Sequence, residues 1–190
     1  MKRDTPTSAT QLGECIIRGA TVAVFVEGIR QRNPNAVVNT AFMFLGTYLP
    51  SVVERVYGVE YRPWQRVYTE CTMLAHAVGM LDLYDETWWW DHLTHVLSAT
   101  LLGGFVHVAS RHRGRNPTRD VLASIVVGGL FWEAMEFLIH RVSRALGVEP
   151  MLVYYGRRDT VGDLVFNLVG AVLVFVFGDR LLQNFIQNAD

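Results

Sequence analysis

Lysine is almost missing from this chain: Lys2 is the one lysine among 17 basic residues. Against 18 acidic residues the formal net charge is -1, so neither sign dominates, and a nucleic-acid or strongly acidic partner is not expected. Cysteine is scarce as well. Cys15 and Cys71 form neither a disulfide framework nor a metal-binding spacing; lying in or beside apolar segments, they are expected to be buried thiols. No P-loop, nucleophile elbow, dinucleotide fingerprint or low-complexity tract is present. The N-terminus MKRDTPTSAT is basic but has no apolar core directly behind it and no cleavage site, so the first apolar segment is expected to remain as a signal anchor.

Apolar residues are what the chain has in quantity. A hydrophobic content of 51% and a mean hydropathy of +0.20 are high for a soluble domain, and 190 residues are the length of one domain, 1–190. Six apolar stretches recur, at about residues 12–29, 36–53, 67–84, 90–110, 121–139 and 160–178. Each approaches the roughly 17–25 residues an α-helix needs to cross the hydrocarbon core. They are too long for soluble strands and lack the alternation of a membrane barrel. The expected fold is therefore all-α: a polytopic membrane bundle of six transmembrane helices, whose backbone groups are satisfied internally in lipid. The first and third stretches are the most polar, with Arg18 and Glu27 in one and Glu70, His76 and Asp82 in the other. Asn33-Pro34 and Asn116-Pro117 mark the expected starts of the second and fifth helices.

Six crossings place both termini on one side. That side collects eleven basic residues, Lys2 and Arg3 among them, against six on the other. The positive-inside rule then makes both termini cytoplasmic, in a multi-pass protein of the cell membrane. The loop 82–90 has no Lys or Arg, and Trp88, Trp89 and Trp90 suit an external membrane interface.

Within that topology the ionisable groups share one depth. Asp91, His92 and His95 open the fourth helix from outside, Glu133, Glu136 and His140 close the fifth, and Asp159 and Asp163 begin the sixth. Spacings of three, four, seven and eight put them, with Asn167, on one stripe per helix. A carboxylate near the bilayer centre costs about 2.5–3.5 kcal/mol on the insertion scale, which favours convergence on a shared cavity over exposure to lipid. His92 points about 100° from Asp91, toward the headgroups. His76 is a candidate for the cavity floor; His107 and His112 belong to the opposite boundary. Gly103-Gly104, Gly128-Gly129 and Gly170-Ala171 offer small surfaces for helix contact.

Carboxylates mixed with imidazoles form a donor set for one or two divalent ions of zinc, iron or manganese. Asp91, His95, Glu136 and Asp163 are the candidate ligands, and Glu133 and Asp159 the candidate bases. The chemistry in view is hydrolysis or transfer on a lipid or lipid-linked substrate. The same carboxylates also suit a proton- or cation-coupled carrier. A purely structural alternative pairs them with Arg141, Arg144, Arg157 or Arg158, or with one another as protonated acids, as a scaffold. Arg157 and Arg158 equally suit a substrate phosphate or a headgroup. Oligomeric state is not legible.

The order of "WWWDHLTH", "FWEAMEF" and "DTVGDLVFNLVGA" resembles the YjdF-like inner-membrane proteins and, more distantly, VanZ-like proteins, from about His76 onward. Matching positions are Asp91, His95, Glu133, Glu136, Asp159, Asp163, Gly170 and Ala171; the acidic group usual before the late Asp pair is replaced here by Tyr-Gly-Arg-Arg. The resemblance implies a polytopic helical membrane protein and no particular reaction.

Overall fold

The computed structural model describes residues 8–187, so Lys2 and Arg3 of the charge count lie outside the described residues. The described residues form helices and turns, without a strand. They fall into two compact units, one running to Thr87 and the other spanning Trp88–Ile186.

The first unit contains α1 (Ser8–Arg30), α2 (Pro34–Gly46), α3 (Leu49–Tyr57), α4 (Pro63–Val78), a π-helical turn (Gly79–Leu83) and the short α5 (Tyr84–Glu86). Asn33 starts α2 as the sequence predicts: its side-chain oxygen accepts from the Ala36 N–H at 2.9 Å, and Pro34 occupies a first-turn position that needs no donor. The interior of this unit is polar. Along α1 the buried face reads Thr10, Glu14, Ile17, Thr21 and Val24, while Leu12, Ile16, Val22 and Val26 face outward. Cys15 and Cys71 are exposed, not buried, because polar residues hold the inner face and the thiols fall on the outer one. Arg18 donates to Glu70 at 2.7 Å and stands 4.4 Å over the Tyr48 ring; Arg66 pairs with Glu14 and Glu54. Three glutamates thus share two arginines, and Glu70 is fully buried.

The second unit contains α6 (Trp90–His112), α7 (Pro117–Leu146), α8 (Arg157–Leu181) and most of α9 (Gln183–Gln187). Asn116 caps α7 from the second Asn-Pro, accepting from the Thr118 N–H at 3.0 Å. The other end of α7 stops at Gly147, whose φ of 68° is the left-handed geometry that favours glycine. Small residues set the crossing of α6 with α8: a Cβ on Gly170 would lie 2.6 Å from that of Ala99. Ala99, Val121, Ile125, Ala171 and Val174 form the apolar core around it. Outward lie Phe105, Val127, Phe131, Val165 and Val176, a surface suited to hydrocarbon and not to water.

Four helical stretches are long and apolar enough to cross a membrane: Pro34–Tyr57, Trp90–His112, Pro117–Leu146 and Arg157–Leu181. They cover the second, fourth, fifth and sixth expected spans. The first corresponds to α1, with Glu14, Arg18, Glu27 and Arg30 along it. The third corresponds to α4 and the turn after it. Its 16 α-helical residues reach about 24 Å and continue into the π-helical turn, where the backbone leaves helical geometry at Leu81 and Asp82.

Candidate functional site

Three helix segments of the second unit bring polar side chains together. In α6, Asp91 and His95 are one turn apart, with His95 Nε2 3.7 Å from Asp91 Oδ1. The Asp91 carbonyl accepts from the Thr94 hydroxyl at 2.8 Å, which fixes this first turn. In α8, Asp163 faces them across the Gly170–Ala99 crossing and brings Oδ1 to 3.7 Å from the same nitrogen. One donor atom from each of Asp91, His95 and Asp163 lies within 4.8 Å of the others.

The tautomer of His95 follows from its other nitrogen. Nδ1 sits 3.3 Å from Asn167 Oδ1, an acceptor, so Nδ1 carries the hydrogen and donates. In the neutral ring Nε2 is then a lone pair facing two carboxylate oxygens. Lone pair and carboxylates repel unless a proton, on Nε2 or on one of the carboxyls, or a metal ion lies between them. A tetrahedral ion with ligands at about 2.1 Å separates them by about 3.4 Å, close to the 3.7 Å spacings. The donor set of one imidazole and two carboxylates fits zinc, iron or manganese.

His92 is a residue whose place the sequence reading missed. Its Nδ1 donates to Asp163 Oδ1 at 3.2 Å and its ring stacks on Phe166 at 4.4 Å, so it faces α8 and not the headgroups. The helical wheel misleads because α8 passes close enough to cover both sides of the first turn of α6: a Cβ on Gly162 would stand 3.1 Å from the His92 ring. A glycine in the facing helix was the available signal. Asn167, placed on the stripe by spacing, gains its role only from the Nδ1 contact.

The remaining candidates distribute as follows. Glu133 is buried beside the group, within electrostatic reach of His95, Asp159 and Asp91. Its Oε1 has no hydrogen-bond partner, and neither has Oδ2 of the fully buried Asp163 while the acids are ionised; Asp159 is within hydrogen-bond reach of Asp163 when one of the two holds a proton. Two such orphaned oxygens are costly unless something else satisfies them. Asp159 lies one turn before Asp163 and is half-buried. Glu136 is not brought into the three-residue group: its Oε1 accepts from the Trp132 indole at 2.8 Å. His140 accepts the Tyr154 N–H at 3.3 Å. His76 is hydrogen-bonded to the Tyr84 hydroxyl at 3.0 Å within the first unit. Among the described residues, Arg141, Arg144, Arg157 and Arg158 make no ion pair with these acids; Arg141 stands over Phe137. At the opposite end of α6, His107 is buried and donates to Asp179 at 2.9 Å. His112 donates there to the Phe185 carbonyl at 2.8 Å.

The chain thus has apolar helices of membrane-crossing length enclosing a buried Asp/His group. No curated protein and no solved structure matches it. A family model described as "Predicted membrane protein (DUF2238)" does match, over residues 14–184, and the chain belongs to that family.

Proposed function

We propose that this protein is a metal-dependent membrane enzyme, a hydrolase or transferase acting on a lipid or lipid-linked group. It would cross the cell membrane six times with both termini cytoplasmic and its site in the external half. The observation that carries the reading is the lone pair of His95 Nε2 aimed at Asp91 and Asp163, with an orphaned carboxylate oxygen on Asp163. Asp91, His95 and Asp163 would hold one zinc, iron or manganese ion. Such an ion polarises a carbonyl or phosphoryl oxygen or lowers the pKa of a bound water. Glu133, buried and unpartnered on one oxygen, would take a proton, with Asp159 beside Asp163 as the second base. Glu136, engaged by Trp132, is better suited to holding the mouth of the site than to ligation. Arg157 and Arg158, at the start of α8, are two guanidinium groups for an anionic part of the substrate. The likeness to YjdF-like and VanZ-like proteins supports the polytopic setting and adds no reaction.

Metal analysis of the purified protein tests this. Near-stoichiometric metal in the wild type, lost in His95→Ala and in Asp163→Asn, is the expected result. Folded wild-type protein that holds no metal, and regains none from added zinc, iron or manganese, overturns it.

The orphaned oxygens on Glu133 and Asp163 also favour a second reading, a proton- or cation-coupled carrier that loads at these acids. It requires pH-dependent uptake into liposomes that Asp163→Asn abolishes, without bound metal.

A further inference from the structure

At the other end of α6, about 24 Å along the helix from His95 to Arg111, the second unit has a cavity of about 480 Å³. Its wall includes His107, Arg111, Arg115, Asn116, Thr118 and Asp179. It takes no part in the site described above. We propose that this cavity binds a phosphate group.

The charge in and around it favours an anion. Arg111 and Arg115 line it and meet Asp179 and Asp120; Arg113 and Arg119 flank the lining residues in sequence. Arg113 and Arg119 form no ion pair among the described residues. Asp179 takes Nε and Nη2 of Arg111, and Asp120 takes Nη2 of Arg115, so Nη1 of each guanidinium remains for a ligand. Both pairs are open to solvent on at least one partner, and exposed pairs of this kind hold their partners weakly. A phosphate offers the same fork geometry with more charge.

The braces behind these groups set their direction. His107 is buried, donates to Asp179 through Nε2 and has no partner at Nδ1, so Asp179 is held from the interior as well as by Arg111. The Ser110 hydroxyl donates to Asp120 at 2.8 Å and steadies the carboxylate that Arg115 meets. The start of α7 also lines the cavity; Pro117 has no N–H and the Thr118 N–H is taken by Asn116, so this helix end contributes its dipole and no free donor from those two residues. Lying where α6 and α7, two helices of membrane-crossing length, meet, the cavity can receive a phosphate from an anionic lipid headgroup or from solution.

Thermal unfolding of the full chain in neutral detergent distinguishes the sources, with phosphatidylglycerol, inorganic phosphate and zwitterionic phosphatidylcholine as separate probes. Phosphatidylglycerol or inorganic phosphate is expected to raise the Tm saturably. The midpoint concentration should be about tenfold higher in Arg111→Gln and in Arg115→Gln, and unchanged in Arg30→Gln. A response to phosphatidylglycerol alone identifies a headgroup; a response to inorganic phosphate identifies a soluble ligand. The proposal is overturned if neither probe shifts the Tm, if phosphatidylcholine acts equally well, or if both arginine variants keep the wild-type midpoint. Should Arg111→Gln fail to fold, Arg115→Gln, at an exposed side chain, decides alone.

Discussion

His95 has two ring nitrogens with separate tasks: Nδ1 is committed to Asn167, which leaves Nε2 for whatever lies between Asp91 and Asp163. In the proposed metal site Asn167 would act on the ion without touching it, as partners of metal-ligating histidines commonly do, and their loss typically costs about 10–100-fold in affinity. Asn167→Ala is expected to weaken zinc binding within that range while the circular dichroism spectrum stays helical; unchanged affinity would detach Asn167 from the site. His92→Phe separates two contributions of another kind. Phenylalanine keeps the stacking on Phe166 but removes the hydrogen bond to Asp163, so zinc affinity should fall while the Tm changes little. A variant that loses stability and affinity together would mark His92 as packing alone. Asp91, His95, Asp163 and Asn167 were legible in the sequence because helical spacing and the cost of a charge in hydrocarbon point them the same way. His92 and Glu136 were not, since their partners, Asp163 and the indole of Trp132, are set by how neighbouring surfaces fit and not by spacing along one helix.

At the scale of the helix, the site depends on how closely α8 approaches α6 and α7. Gly170 permits the first approach, since any Cβ there would stand 2.6 Å from Ala99 and 2.9 Å from the Val96 carbonyl oxygen. Gly170→Ala must push the helices apart, at a cost of about 1–3 kcal/mol, and Ala99→Gly in the same chain should restore part of it. Denaturant titration of the two single variants and the double variant in detergent measures the coupling; additive effects would show that this crossing tolerates the extra methyl elsewhere. Gly129 acts differently. A Cβ there meets the Asn167 amide nitrogen at 2.9 Å, the end of a movable side chain, so Gly129→Ala should disturb the His95 hydrogen bond more than the fold. Its signature is lower zinc affinity with a Tm within a few degrees of wild type. The paired small residues of these helices were legible as contact surfaces. Which partner each one met was not, because sequence fixes the small surface and not the neighbour that fills it.

Across the whole molecule the chain divides its polarity by unit, and this bears on the number of crossings. The second unit has three helices of membrane-crossing length, whereas the first has Pro34–Tyr57 together with α1 and α4, two helices that turn glutamates and arginines toward each other. A charge inside a bilayer is tolerable when paired and turned inward, so Arg18 with Glu70 and Arg66 with Glu14 are what would let α1 and α4 cross in spite of their sequences. Hydropathy alone misses such helices, since it counts the charges and cannot see that they meet. Reporter fusions discriminate the two counts. With six crossings, a fusion in the turn at residues 31–33 lies opposite the N-terminus, and fusions at residues 58–62 and 84–89 lie opposite each other. With four, residues 31–33 share a side with the N-terminus, and 58–62 share one with 84–89. The expected pattern is alkaline phosphatase activity at residues 31–33, 84–89 and 147–156, and green fluorescence at both termini, at 58–62 and at 113–116. Arg18→Leu should then lower the phosphatase signal at 84–89 in a fraction of molecules, because Glu70 loses its closest cation and α4 its reason to stay within the bilayer.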